Sequence, residues 1–377
     1  MIPVMKPALG EEEARAAAET VLSGWVAQGP RVAEFERDFA ASVEAVHGVA
    51  VSSCTTALHL GLILLGVGAG DEVVVPSLSF IATTNAVRYV GATPVFADVD
   101  YDTGNLTPKT IEAVLTPRTR AVVLVHQGGM PADVEEVRAI CAPRGIDVFE
   151  DAACAAGSTY RGRSVGADSP LAAWSFHPRK LLTTGEGGML TLTDADLTAR
   201  ARRLREHGMN RSAAERASST EVVIESYLEV GYNFRMTDVQ AAIGLVQLRR
   251  LPDLIAERRR IAARYLERLA GLDGVLLPGD PAYGTTNYQS FVVRLAEDFP
   301  VGRNELLAML AAQGISARRG IMAAHLEPAY AGWPHVDLPV TEELTHRSLI
   351  LPLYVGMTES EQDHVIAALQ DGARGGK

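Results

Sequence analysis

Four lysines stand against 31 arginines in this chain: Lys6, Lys109, Lys180 and Lys377. Lys6 and Lys377 sit near the ends, and Lys109 stands in TPKTIEAV, which reads as the exposed start of a helix. Lys180 alone falls in sequence that reads as interior, between an apolar strand over 172–176 and the glycine-rich TTGEGG of 183–188. Burial disfavours an ammonium, so its pKa is expected to fall and leave a neutral amine able to form a Schiff base. Arginine supplies no neutral primary amine, so it cannot take over that task.

Two further features suit such a lysine. Asp151 closes the apolar run IDVFED, 29 residues before Lys180. Ligands of open α/β sheets sit at the carboxyl ends of strands, although a helix cap or a salt bridge also accounts for an acid there. Upstream, the strand GVAVSS runs into Ser53, Cys54, Thr55, Thr56 and Ala57. Small and hydroxyl residues at a helix N-terminus present unpaired N–H groups at the positive end of the dipole, which is an anion site; a plain N-cap at Ser53 or Thr55 is the alternative. A strand-end acid, an interior lysine and an upstream phosphate site together describe a pyridoxal phosphate pocket. The cluster GVGAG at 66–70 is set aside as a dinucleotide motif, because it ends a helix and precedes a strand, the reverse of what a pyrophosphate needs.

The elements that must position these groups are legible from hydrophobic period. GVAVSS, EVVVPS, TPVFADVD, TRAVVLVH, IDVFEDA and AAWSFH read as buried strands. TTALHLGLILLG, ATTNAVRYVG, TPKTIEAVLT and DVEEVRAICAPRG read as helices between them. That alternation predicts a mostly parallel sheet covered on both faces, with GGMLTLTD, which follows without a helix, as an antiparallel member. A helical zone over 237–272 is expected to break near Leu251 and Pro252 and to connect two domains, 1–250 and 251–377. YQSFVVRLA and ISARRG read as strands of the second domain.

With 377 residues, 47% of them hydrophobic, the chain is long and apolar enough for two folded domains. A formal charge of −11 without a long basic run argues against nucleic acid as a partner. No stretch is long and apolar enough for a membrane span or a signal peptide, and a cytoplasmic location is expected. Three cysteines without a CxxC pair, and nine histidines without HExxH, suggest neither a disulfide framework nor a metal site.

The motifs SGWVAQGPRVAEFE, SSCTTALHLGL, GDEVVVPSLSFIATTNAVRYVGATPVFADVD, VHQGGMPAD, EDAACAAGSTYRG, SFHPRKLLTTGEGGM and GYNFRMTDVQAAIGLVQL follow one another in an order that closely resembles the DegT/DnrJ family of sugar aminotransferases. The resemblance runs over about residues 2–369. It implies a fold-type I pyridoxal phosphate transferase: a mostly parallel seven-stranded α/β sheet sandwiched by helices, with a smaller C-terminal α+β domain. It further implies that Lys180 carries the cofactor and shuttles the proton, and that Asp151 pairs with the pyridine nitrogen. Thr55, Thr56 and Ser175 would hold the phosphate, Phe80 would stack on the ring, and Asn233 would reach the phosphate of a neighbouring subunit in a homodimer.

Two departures stand out. Cys154 occupies a position where many members carry Gln, His or Glu against the cofactor's phenolic oxygen, and a thiol is a weak donor. Gly128 replaces a larger residue, which suggests room or mobility near the mouth of the site. Cys54 replaces a common Gly or Ala and is expected only to pack. His325, Arg235, Arg318 and Arg319 are substrate-contact candidates, with surface or salt-bridge roles as the alternative for the arginines; His177 and His126 lie beside the cofactor strands. The implied reaction moves an amino group from glutamate, or glutamine, to a nucleotide-linked keto sugar, foremost a 4-keto-6-deoxy sugar. A 3-keto sugar or a cyclitol ketone is the next acceptor. Retention of Lys180 argues against a dehydratase, and the intact set of Asp151, Ser175, Lys180 and Asn233 against a non-catalytic regulator.

Overall fold

The computed structural model describes residues 1–211, 222 and 224–375, so Lys377 lies outside the described residues. Strands β1 (His47–Val51), β2 (Glu72–Pro76), β3 (Thr93–Ala97), β4 (Thr119–Val125) and β5 (Asp147–Asp151) are followed by a short pair, β6 (Thr159–Tyr160) and β7 (Arg163–Ser164), then by β8 (Leu171–Ser175) and β9 (Gly188–Leu192). Seven of these form one sheet in the order β1-β9-β8-β5-β4-β2-β3. Every residue of β2 and the last five of β4 are buried, as expected for strands covered on both faces. Only β9 runs against the rest. The segment between β8 and β9 holds no crossover helix, and without one the chain can re-enter the sheet only as an antiparallel neighbour.

The helix Cys54–Leu64 packs on this sheet through Leu58, Leu60 and Leu62, all buried against Phe149 and Leu171. On the opposite face Phe35, Phe39, Trp174 and Phe176 form a second cluster with edge-to-face rings. TPKTIEAVLT, expected to be a full helix, forms only the short Pro108–Glu112.

The expected break at Pro252 is absent: one helix runs from Asp238 to Leu269 with Pro252 inside it. Proline in a helix interior costs about 3 kcal/mol, and each buried leucine returns about 1.5–3 kcal/mol. Leu245, Leu251 and Leu254 are buried on either side of Pro252, so tertiary packing outweighs the local penalty. The first half of this helix belongs to the core around Phe35 and Trp174, and its second half, from Ile261 to Leu269, to another core.

That other core lies under a four-stranded antiparallel sheet. After β10 (Val275–Leu276) and β11 (Gly284–Thr285), which joins β6 and β7, come β12 (Phe291–Leu295), β13 (Arg318–Arg319) and β14 (Ser348–Leu351), in the order β10-β12-β14-β13. The helices Arg303–Ala312 and Glu359–Ala373 cover it. Ile2 adds to this core and bridges to Ile315.

Candidate active site

A cavity of about 360 Å³ opens where the carboxyl ends of the parallel strands meet the second sheet. Its walls include Ser53 after β1, Ser79 after β2, Val125 ending β4, Asp151 ending β5 and Ser175 ending β8. Lys180 enters from the β8–β9 connection, and Arg318 from β13.

Asp151 is 4% exposed. Its Oδ2 accepts from Thr83 Oγ1 at 2.9 Å and its Oδ1 from the Ala153 amide at 3.2 Å. Burial raises its pKa in spite of these donors, so the carboxylate form calls for a positive partner. Lys180 Nζ lies 3.0 Å from Cys154 Sγ. Burial depresses the lysine, but Cys154 and Asp151 beside it outweigh that and hold the amine above the usual lysine value. The lowered pKa expected from burial is therefore reversed, because the pocket sets sulfur and carboxylate around the amine. Burial pushes the Cys54 thiol well up, so it stays a neutral packing group that lines the wall.

Ser53 caps the helix Cys54–Leu64 by accepting from the Thr56 amide at 3.2 Å, while Thr56 Oγ1 donates to the Ser53 carbonyl at 2.7 Å and accepts from the Ser53 amide. Thr56, one of the expected phosphate ligands, thus spends its hydroxyl inside the capping box and is not among the cavity walls. Thr55 is, and the Cys54 and Thr55 amides are first-turn N–H groups without a partner in the helix. Strand β9 comes so close beneath this turn that a Cβ on Gly188 would lie 2.4 Å from the Ser53 carbonyl carbon. The Ser175 hydroxyl accepts a long bond from the His177 amide, 3.5 Å, and keeps its own proton free to donate. Phe80, 57% exposed, presents its ring to the cavity. A helix N-terminus with unspent donors, an open aromatic face, a buried carboxylate and a lysine around one cavity fit a ligand with a phosphate and a protonated aromatic nitrogen, as pyridoxal phosphate has.

Most of the remaining expected residues lie elsewhere. Asn233 is exposed and bridges Glu206, outside this cavity. Arg235 sits 3.9 Å from Glu206. His325, expected at the substrate, is 5% exposed and bonded through Nδ1 to Ser77 Oγ at 2.6 Å, with Glu342 on its other side. Burial lowers its pKa, and it packs rather than faces the cavity. His126 is buried between the Ala132 amide and Glu150, behind Asp151. His177 lines the wall, and Arg319 pairs with Glu327. Gly128 adopts φ 59° and lines a separate, smaller cavity, so the glycine answers a left-handed turn rather than widening this mouth.

The walls missed in the sequence include Thr83, Arg179, Arg258 and Gln289. Thr83 follows Phe80 by three residues at the start of Ile81–Tyr89, the spacing that brings two side chains to one face. Arg258 opens the arginine triplet 258–260, which suggests a solvated face, yet it is 2% exposed. It continues the spacing of Leu251, Leu254, Ile261 and Tyr265, a core stripe in which an arginine is itself a signal.

Residues 7–370 match the DegT/DnrJ/EryC1/StrS aminotransferase family. The spore coat polysaccharide biosynthesis protein SpsC of Bacillus subtilis (strain 168) is 40% identical over 379 residues, 99% of this chain and 97% of that protein. Among solved structures, DesI in the presence of its TDP-sugar product aligns with a TM-score of 0.89 and 34% identity, over 99% of this chain and 93% of that one. The PLP-form of Spr1654 from Streptococcus pneumoniae aligns with a TM-score of 0.91 and 27% identity, over 99% and 98%.

Proposed function

Since the chain belongs to the DegT/DnrJ/EryC1/StrS aminotransferase family and is a pyridoxal phosphate-dependent aminotransferase, we propose that it transfers an amino group from glutamate to a nucleotide-linked 4-keto-6-deoxy sugar. The observation that carries the reading is the convergence of Lys180, Asp151 and the Cys54–Thr55 helix turn on one cavity. The sugar is supported by the polysaccharide role named for SpsC and the TDP-sugar product named for DesI. Arg318 on the cavity wall offers charge to a diphosphate.

Pyridoxal phosphate supplies an aldehyde that takes up the amino group and a ring that draws electrons from the donor carbon. Thr55, Ser175 and the two first-turn amides would hold its phosphate, and the open face of Phe80 would receive its ring. Asp151, fixed by Thr83 and Ala153, keeps the ring nitrogen protonated. Lys180 Nζ is the base that removes and returns the proton at the reacting carbon. Cys154, 3.0 Å from that amine, would face the phenolic oxygen of the bound cofactor. Asn233, exposed in a single chain, completes the neighbouring site in a cytoplasmic homodimer whose subunits divide near residue 250. No helix among the described residues is long and apolar enough to cross a membrane.

The test is a two-part assay on the purified protein. Glutamate is expected to bleach the yellow band, and the bleached enzyme to regain it on the nucleotide-linked 4-keto-6-deoxy member of a panel of nucleotide keto sugars and cyclitol ketones. A band that responds to another amine but not to glutamate refutes the donor. Recovery only on a ketone without a nucleotide refutes the acceptor.

A further inference from the structure

The segment Asn287–Gln289 lies just ahead of β12, in the second sheet's half of the sequence, yet its side chains reach back into the first. Gln289, 8% exposed, accepts from the Leu181 amide through Oε1 at 3.0 Å and donates from Nε2 to the Arg179 carbonyl. Those two backbone groups flank Lys180 on either side. The partners also fix the orientation of the amide, because an N–H can only donate and a C=O can only accept.

The support for Gln289 is itself braced. Its amide donates to Asn287 Oδ1 at 2.8 Å, and Asn287 Nδ2 donates to the carbonyls of Cys154 and Ala156, both at 2.8 Å. The buried Arg258 guanidinium donates to the Tyr288 and Gln289 carbonyls and to Leu353 O. Tyr288, between the two amides, sits at φ 51°, a left-handed conformation that a bulky residue adopts at a cost. Such a backbone persists where surrounding bonds over-determine it, and here they all serve to aim two side chains at Cys154 and at the residues around Lys180.

We propose that Gln289 is a positioning residue for Lys180: it clamps the peptide groups on both sides of the lysine and so fixes where Nζ enters the cavity. A neutral amide is the side chain that satisfies both groups at once. Glutamate at this position would set an oxygen acceptor against the Arg179 carbonyl until it took up a proton. The proposal rests on Lys180 as the cofactor-bearing residue and is independent of which ketone the enzyme uses.

The experiment compares wild type, Gln289→Met and Gln289→Glu. Each apoprotein is titrated with pyridoxamine phosphate, which cannot condense with lysine, and then mixed with pyridoxal phosphate. Condensation with Lys180, with loss of water, is followed by borohydride trapping and peptide mapping. Misplacing a reacting group by about 1 Å costs on the order of 10²-fold in rate, so both variants are expected to condense roughly ten- to a hundredfold more slowly. Their affinity for pyridoxamine phosphate is expected to stay that of wild type, which also reports that they fold. The rate of Gln289→Glu relative to wild type should rise as the pH falls and its carboxyl gains a donor proton, while that of Gln289→Met stays flat. Wild-type condensation rates in the variants, equal loss of rate and of pyridoxamine phosphate affinity, or the same pH course for both would overturn the clamp. Trapped label on a lysine other than Lys180 would instead overturn the assignment of Lys180.

Discussion

Replacing Gly188 by alanine tests the phosphate cradle at its tightest point. Gly188 opens β9, paired with Val51 on one side and Ser175 on the other, directly under the first turn of Cys54–Leu64. A Cβ there would lie 2.4 Å from Ser53 C, 2.5 Å from Ser53 O and 2.6 Å from the Cys54 amide nitrogen. All three are backbone atoms, so no rotamer change relieves them, and the turn must lift by roughly 1 Å to reach ordinary contact. Overpacking of this kind costs about 1–3 kcal/mol of stability. The same shift moves the Cys54 and Thr55 amides off their line to a phosphate. A charge-assisted amide bond contributes about 1.5–3 kcal/mol, so losing one weakens phosphate binding by about 10- to 100-fold. The assay is a fluorescence titration of the apoprotein with pyridoxamine phosphate and, in parallel, with pyridoxamine. The phosphorylated ligand is expected to lose affinity in the variant while the other does not. Pyridoxamine phosphate bound as tightly as by wild type, or an equal loss for both ligands, would refute the assignment of that turn as the phosphate site.

Other substitutions probe the remaining walls. Asp151→Asn should lower turnover by about 10²-fold, the scale of losing one preorganised charge, measured by coupled assay. It should also raise the thermal midpoint of the apoprotein at neutral pH. Burial lifts the folded-state pKa of Asp151 above its unfolded value, so the carboxylate form costs stability above that pKa, and the gain should fade as the pH falls through it. Arg258→Met leaves the Tyr288, Gln289 and Leu353 carbonyls without their donor. Urea unfolding should show a loss on the order of 3 kcal/mol. Mixing Lys180→Ala with Asn233→Ala subunits should restore about a quarter of wild-type activity, because half of the dimers would then carry one site with both residues intact. No gain over the parents would sink the shared-site reading.

How far the sequence carried the reading depends on the range of the forces involved. The parallel sheet was legible because covered strands must be continuous apolar runs, as β2 and β4 are. Lys180 and Asp151 were legible because a lone interior lysine and a strand-end acid are unusual in type and place. The continuity of Asp238–Leu269 was not, since Pro252 speaks only for its local cost and not for the cores that bury both flanks. Thr56 and His325 were likewise read by position, whereas hydrogen bonds to Ser53 and to Ser77 spend their polar atoms away from the cavity.

By itself, then, the sequence determined the class of sheet and the cofactor and singled out Lys180 and Asp151 as candidates, because each follows from local pattern and side-chain type. Only the tertiary structure decided the electrostatics of the lysine, the loss of Thr56 and His325 from the site, and the part of Gln289 and Arg258. Gln289 and Lys180 are 109 residues apart in the chain, and nothing in either's neighbours encodes the other. Their meeting depends on two sheets packing across one cavity, and such long-range contacts exist only once the whole chain has folded.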